Sequence, residues 1–323
     1  MIKMIAFRSP LLAILPVCFF FSGCTTTAEI TTQKGAKESS TSALTVETPL
    51  AKTFLVGSTK INTAVQPDEI IVYKKAGTSK LELHVFEAKN VKNIQAKTPA
   101  IVFFHGGGWV GGNPSLMYDQ ADYFSKQGVK VISVQYRLQK THATPPLVSL
   151  MDAKSAFRWV RKNAERLNIE PDNIAAGGGS AGGHLAAALA SVDGFNDPRD
   201  DASISTLPSA LILFNPVMDN GPTGYGYKRV KPYWSAFSPL HNIKDGHPPT
   251  IIFFGTKDKF VPVETAYAYQ KAIQDHGGRA DLHMYEGTKH AFFNRNKSSE
   301  SFRDTVIKSH QFLNSIGFID TKL

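Results

Sequence analysis

Cysteine is nearly absent from this sequence. The 323 residues contain two, Cys18 and Cys24, and both lie within the first 24. A disulfide framework, a cysteine-ligated zinc and a cysteine nucleophile are therefore closed to the rest of the chain. No apolar run approaches the roughly 20 residues that a bilayer-spanning helix needs, so a polytopic membrane protein is excluded. No GK[ST] follows a glycine-rich stretch, which excludes a Walker phosphate loop, and no HExxH or other metal-ligand cluster occurs. Neither a metal nor an organic cofactor is expected. Internal repeats are also missing.

Hydrophobic residues at 42 % and charged residues at 20 % rule out global disorder. The chain is basic, with 36 Lys and Arg against 27 Asp and Glu. These charges are scattered; the densest cluster (Lys154, Arg158, Arg161, Lys162, Arg166) reads as one solvated helix face, so no nucleic-acid partner is expected. Asp152, near Arg158 and Trp159, reads as a scaffold partner on that helix.

Residues 1–24 follow the grammar of a secretory signal: Lys3 and Arg8, then the apolar stretch Leu11–Phe21, then Ser22, Gly23 and Cys24. Phe21-Ser22-Gly23-Cys24 resembles a bacterial lipobox, with Phe21 where Leu is usual. The resemblance implies lipidation of Cys24 and a lipid-anchored protein of the cell envelope, periplasmic or at the cell surface. Ordinary cleavage and plain secretion is the alternative. Residues 25–64 read as a flexible tether, with Thr25–Thr45 rich in Thr, Ser, Lys and Glu. Residues 65–323 are expected to form the folded domain.

From about residue 65 strand-like and helix-like segments alternate. Strands are predicted at 69–73, 81–87, 100–104, 129–135, 174–178, 210–214, 250–254 and 280–285. Helices are predicted at 117–127, 150–167, 184–191, 263–275 and 302–316. Such alternation predicts an α/β layer fold with a mostly parallel sheet of about eight strands and helices on both faces. Residues 217–247 lack a clear period, which predicts a surface excursion or a small lid beside the site.

Gly178-Gly179-Ser180-Ala181-Gly182 matches G-x-S-x-G between a predicted strand and a predicted helix. That motif places a serine on a strained strand-to-helix turn, with its hydroxyl above the sheet. The same stretch also fits the dinucleotide pattern G-x-G-x-x-G, but three or more strands precede it, whereas that fingerprint opens its domain. His105-Gly106-Gly107-Gly108-Trp109 follows the strand AIVFF about 75 residues earlier. Glycine amides there, with the amide of Ala181, suit an oxyanion hole. His105 itself reads as a loop-holding residue. A base and its orienting acid are expected in the order Ser, acid, His. Asp258 and His290 follow the strands TIIFF and DLHMY, where α/β sheets place ligands. The rivals are Asp219 for the acid, and His283 and His184 for the base; His184 suits a structural hydrogen bond.

HGGGW, GGGSAGG, GTKDKFVP and the His290 loop together resemble the α/β-hydrolase esterases, most nearly the hormone-sensitive-lipase-like and bacterial acetyl-esterase branch. The resemblance covers roughly residues 65–318. It implies Ser180 as nucleophile, His290 as base, Asp258 as orienter, and Gly107, Gly108 and Ala181 as oxyanion-hole donors. It further implies a short-chain acyl esterase with a minimal lid, acting on small-molecule or carbohydrate esters, such as the acetyl or feruloyl groups of polysaccharides. Trp109, Tyr118, Tyr225, Tyr227, Tyr233 and Trp234 are candidate stacking residues for sugars. A serine peptidase of the same fold and a catalytically inactive surface-binding module are the competing readings.

Overall fold

The apolar run ending in AIVFF sets the centre of the molecule. In the computed structural model, which describes residues 65–91 and 95–320, it is strand β3 (Thr98–Phe104), and Ala100 to Phe104 are fully buried. A strand that is apolar on both faces needs cover on both. Successive side chains of β3 enter two different cores: Ala100, Val102 and Phe104 one, Ile101 and Phe103 the other.

The remaining strands are β1 (Glu69–Ala76), β2 (Ser79–Phe86), β4 (Lys130–Val134), β5 (Ile169–Gly179), β6 (Leu211–Phe214), β7 (Thr250–Gly255) and β8 (Ala280–Tyr285). They form one eight-stranded sheet in the order β1-β2-β4-β3-β5-β6-β7-β8. The β1–β2 and β2–β4 pairs are antiparallel and all others parallel. All eight predicted strands are present.

The helices are α1 (Tyr118–Ser125), α2 (Gln139–His142), α3 (Pro146–Lys162), α4 (Ala181–Ser191), α5 (Tyr227–Val230), α6 (Trp234–Phe237), α7 (Glu264–Asp275) and α8 (Ser299–Ser315). Helices α3, α4 and α7 cover one face of the sheet, and α1 and α8 cover the other. Helix α3 starts four residues before its predicted start because Pro146 occupies its first turn, where a missing N–H costs nothing. It also ends earlier, at Lys162, where Asn163 Nδ2 donates back to the Trp159 carbonyl.

The basic cluster on α3 is not one solvated face. Lys154 is 1 % exposed, and its Nζ donates to the carbonyls of Val192, Asp193 and Gly194 at the end of α4, at 2.5, 3.3 and 2.6 Å. A helix C-terminus favours such a cation. Burial pushes the Lys154 ammonium down to about 8. Arg158 is also buried, donating to the Ile204 carbonyl and to Asn196 Oδ1. Residues 192–207 fold over this face, a long-range event that helical spacing does not record. Asp152 is a scaffold residue as expected, but its partners are Arg137, bidentate at 2.7 Å, and Lys74 at 2.8 Å.

The sequence order departs from spatial order at one place that matters. From β3 the chain steps to β4 on one side and next to β5 on the other. Connections leaving a sheet in opposite directions open a crevice beyond the carboxyl ends of the strands. The ends of β3 and β5 carry the two glycine-rich motifs. The leader and tether expected at 1–64, with Cys24, lie outside the described residues. Among the described residues, no helix is long and apolar enough to cross a membrane.

Candidate active site

Ser180 follows the last residue of β5 and precedes the first of α4, with φ 55° and ψ −120°. Few non-glycine residues adopt such a backbone, and strain of this kind marks functional turns. Two hydrogen bonds hold it: Ser180 N donates to the Phe214 carbonyl at 2.9 Å, and Val217 N donates to the Ser180 carbonyl at 3.1 Å. Gly182 is required for contact with β3, since a Cβ there would lie 2.0 Å from the Phe104 carbonyl oxygen.

Ser180 Oγ lies 2.9 Å from His290 Nε2, and His290 Nδ1 lies 2.6 Å from Asp258 Oδ2. A carboxylate only accepts, so Nδ1–H donates to Asp258 and Nε2 faces the serine with its lone pair. The Asp258 side chain is fully buried; its Oδ1 accepts from the amides of Phe260 and Val261 at 2.9 and 3.1 Å. These bonds lock the carboxylate's direction. The His290 loop is held by Asn215, at the end of β6, whose Oδ1 accepts from Ala291 N at 2.9 Å. Sequence reading passes over Asn215; the only signal is its place directly after a buried strand.

The loop after β3 borders the serine. A Cβ on Gly106 would lie 3.5 Å from Ser180 Cβ. Gly107 has φ +122°, and a side chain there would strike the Gly111 carbonyl at 1.9 Å. No backbone carbonyl among the described residues accepts from the Gly107 or Gly108 amide. Ala181 opens α4, where an amide has no intrahelical acceptor. The amides of Gly107, Gly108 and Ala181 are thus suited to donate to an oxyanion. His105 is fully buried, stacked on Tyr136 with centroids 4.3 Å apart; burial pushes it down to about 4, so it is neutral and holds the loop through the Gly106 carbonyl.

The rivals lie elsewhere. Asp219 accepts from Gly221 N at 2.6 Å and faces His241. His184 is buried and held to the Phe237 carbonyl, with burial pushing it down to about 3. His283 stacks on Phe253 within β8. Trp109 and Tyr118 are 1 % and 7 % exposed, so they pack the core and offer no sugar platform; Tyr225, Tyr227, Tyr233 and Trp234 remain partly open.

Segment 217–247 packs beside the oxyanion loop. Arg229 Nη1 donates to the Gly108 carbonyl at 2.6 Å, and its guanidinium lies over Trp109 and Tyr225, 5.2 and 5.6 Å from their centroids. Phe260 stands edge-on to His290 at 5.2 Å. Neither Arg229 nor Phe260 is singled out by its spacing in the sequence. Among the described residues, no group of three or more His, Cys, Asp or Glu is placed to hold a metal ion. The arrangement suits a proton-relayed attack by a serine hydroxyl on a carbonyl whose oxygen rests on backbone amides.

Comparison with known proteins places this geometry among relatives. The BD-FAE family model matches residues 87–210, and the Prolyl oligopeptidase family model matches residues 149–307. The apo structure of Thermogutta terrifontis esterase 2 is 38 % identical, with a TM-score of 0.75, covering 79 % of this chain and 96 % of that one. An acetylxylan esterase of Xylanibacter ruminicola is 29 % identical over 60 % of this chain and 41 % of its own length. Carboxylesterase NlhH of Mycobacterium tuberculosis is 37 % identical over 30 % of each chain. The chain spans about half the length of the curated relatives it matches. With the eight-stranded sheet and both glycine-rich loops in place, the chain belongs to the α/β-hydrolase esterases, a family of carboxylic ester hydrolases.

Proposed function

We propose that the protein is a serine ester hydrolase for short acyl groups, with Ser180 as nucleophile, His290 as general base and Asp258 as orienter. One observation carries this reading: the unbroken relay Ser180–His290–Asp258, at 2.9 and 2.6 Å, set against the Gly107–Gly108 loop. Ser180 Oγ attacks the ester carbonyl as His290 Nε2 takes its proton. The amides of Gly107, Gly108 and Ala181 hold the oxyanion, and His290 returns the proton to the departing alcohol. Water, activated by the same imidazole, cleaves the acyl-enzyme.

Short acyl chains are supported by Thermogutta terrifontis esterase 2, which has been solved with propionate and with butyrate bound. Deacylation of polysaccharides is supported by the acetylxylan esterase relative and by the partly open aromatics of segment 217–247. The peptidase reading draws on the Prolyl oligopeptidase match, which spans the residues common to both chemistries. The BD-FAE match, by contrast, includes the HGGGW loop, which favours ester hydrolysis. From the leader, we propose lipidation at Cys24 and attachment to the cell envelope, with residues 25–64 as a tether. The nucleophile is tested by fluorophosphonate labelling. Wild-type protein takes the label and hydrolyses p-nitrophenyl acetate, and Ser180→Ala does neither; label on the variant would refute the assignment.

A further inference from the structure

Three lysines flank the relay, each one residue away from its acid or its base. Lys257 and Lys259 bracket Asp258, and Lys289 precedes His290; all three are exposed. Their loops are tied together: Lys257 N donates to the Thr288 carbonyl at 2.9 Å, and Gly287 N donates to Thr256 Oγ1 at 2.8 Å. Among the described residues none of the three makes an ion pair. Asp258 is committed to His290, which leaves Glu286 as the one free acid on these loops. On the wall beside the Gly106–Gly108 loop, segment 217–247 carries Lys228, Arg229, Lys231 and Lys244 with the acids Asp219 and Asp245, and Lys244 is paired with Asp193 at 2.5 Å. Arg229 ties that wall to the oxyanion loop, and the flanking Lys228 and Lys231 are exposed. Exposed cations outside any ion pair therefore stand one residue from the acid and the base of the relay, and two more flank Arg229 on the segment that contacts the Gly108 carbonyl.

We propose that the natural substrate is an ester on an acidic sugar polymer, with acyl groups carried by or beside uronate residues; this rests on the esterase reading above. Consecutive Cα atoms are about 3.8 Å apart, so each lysine backbone stands one such step from Asp258 or His290, and its flexible side chain can turn toward a carboxylate of a polymer laid across the site. A unit charge about 10 Å from such a carboxylate changes affinity about twofold in water, and three change it about eightfold. The exposed ring of Phe260, 45 % accessible beside His290, offers an apolar platform for a sugar face between the charges. A membrane surface fits less well. Of the exposed large apolar side chains, only Phe260 lies on these loops, whereas Ile70 and Val72 sit on edge strand β1.

The test compares kcat/KM of the full chain on acetylated polygalacturonate, on acetylated xylan free of uronate, and on p-nitrophenyl acetate. Ionic strengths of about 0.01 M and about 1 M set the Debye length near 30 and 3 Å. The polyuronate-to-xylan ratio in the wild type should fall about fivefold to tenfold at high salt. At low salt, Lys257→Gln/Lys259→Gln/Lys289→Gln should lower that ratio by a similar factor. A ratio indifferent to salt overturns the proposal with wild-type protein alone. If the triple variant keeps the ratio but loses binding to phosphatidylglycerol vesicles, the lysines serve a lipid surface and the proposal also fails. A wild type that hydrolyses none of the three esters refutes instead the esterase reading beneath it.

Discussion

Replacing Arg229 by Gln separates the oxyanion loop from its support without touching Ser180, His290 or Asp258. The lost contacts are one charge-assisted bond of 2.6 Å to the Gly108 carbonyl and two guanidinium–ring contacts at 5.2 and 5.6 Å. Such a bond contributes about 1.5–3 kcal/mol, and each ring contact about 0.5–1 kcal/mol. Arg229 is half-buried, so water refills part of the site, and global stability should fall by about 1–2 kcal/mol. The larger effect is expected on catalysis. Removing one oxyanion donor outright costs about 10²–10³ in kcat; a loosened loop displaces donors rather than deleting them, so a loss of about tenfold to hundredfold is expected. KM should change little, because the oxyanion forms after binding. Arg229→Lys should restore only part of the rate, since an ammonium keeps the charge but not the planar fork. Steady-state kinetics on p-nitrophenyl acetate, with guanidinium unfolding in parallel, gives both quantities. A lowered unfolding midpoint with kcat within about twofold of wild type would refute the reasoning and leave Arg229 a packing residue.

Asp258→Asn should lower kcat by about 10⁴ through loss of control over the His290 tautomer. Asp219→Asn, placed on a turn facing His241, should leave kcat nearly unchanged, and the reverse pattern would mean that the acid is misassigned. His105, His184 and His247 are neutral in the fold, pushed by burial down to about 4, 3 and 4. Their unfolded forms take protons near 6.5, so the stabilisation is complete above that pH and is lost as pH falls from 6.5 toward 4. Unfolding midpoints should decline through this window at roughly constant slope m, and a flat profile from 6.5 to 4 would contradict it. Cys24→Ser should move the protein from the membrane fraction to the soluble fraction with activity intact, or leave an unprocessed precursor. A wild type that incorporates no palmitate analogue and begins elsewhere than Cys24 would show it to be simply secreted.

The residues that do local work were legible in the sequence by itself. Central parallel strands such as β3, β6 and β7 are continuous apolar runs, which makes them readable without any tertiary information. The elbow and the HGGGW loop are backbone devices whose glycines permit only a few conformations. Asp258 and His290 stand on loops just past such strands, and the order of sheet and motif leaves them few rivals. Only the tertiary structure decided which distant groups meet. It turned Lys154 and Arg158 from a solvated face into buried anchors, because residues 192–207 fold over α3. It gave Asp152 the partners Arg137 and Lys74, set Asn215 against the His290 loop, and laid Arg229 on Gly108. Periodicity reports the face a residue takes on its own element. A hydrogen bond spanning 121 positions, as from Arg229 to Gly108, depends on how elements pack, and no local pattern encodes it.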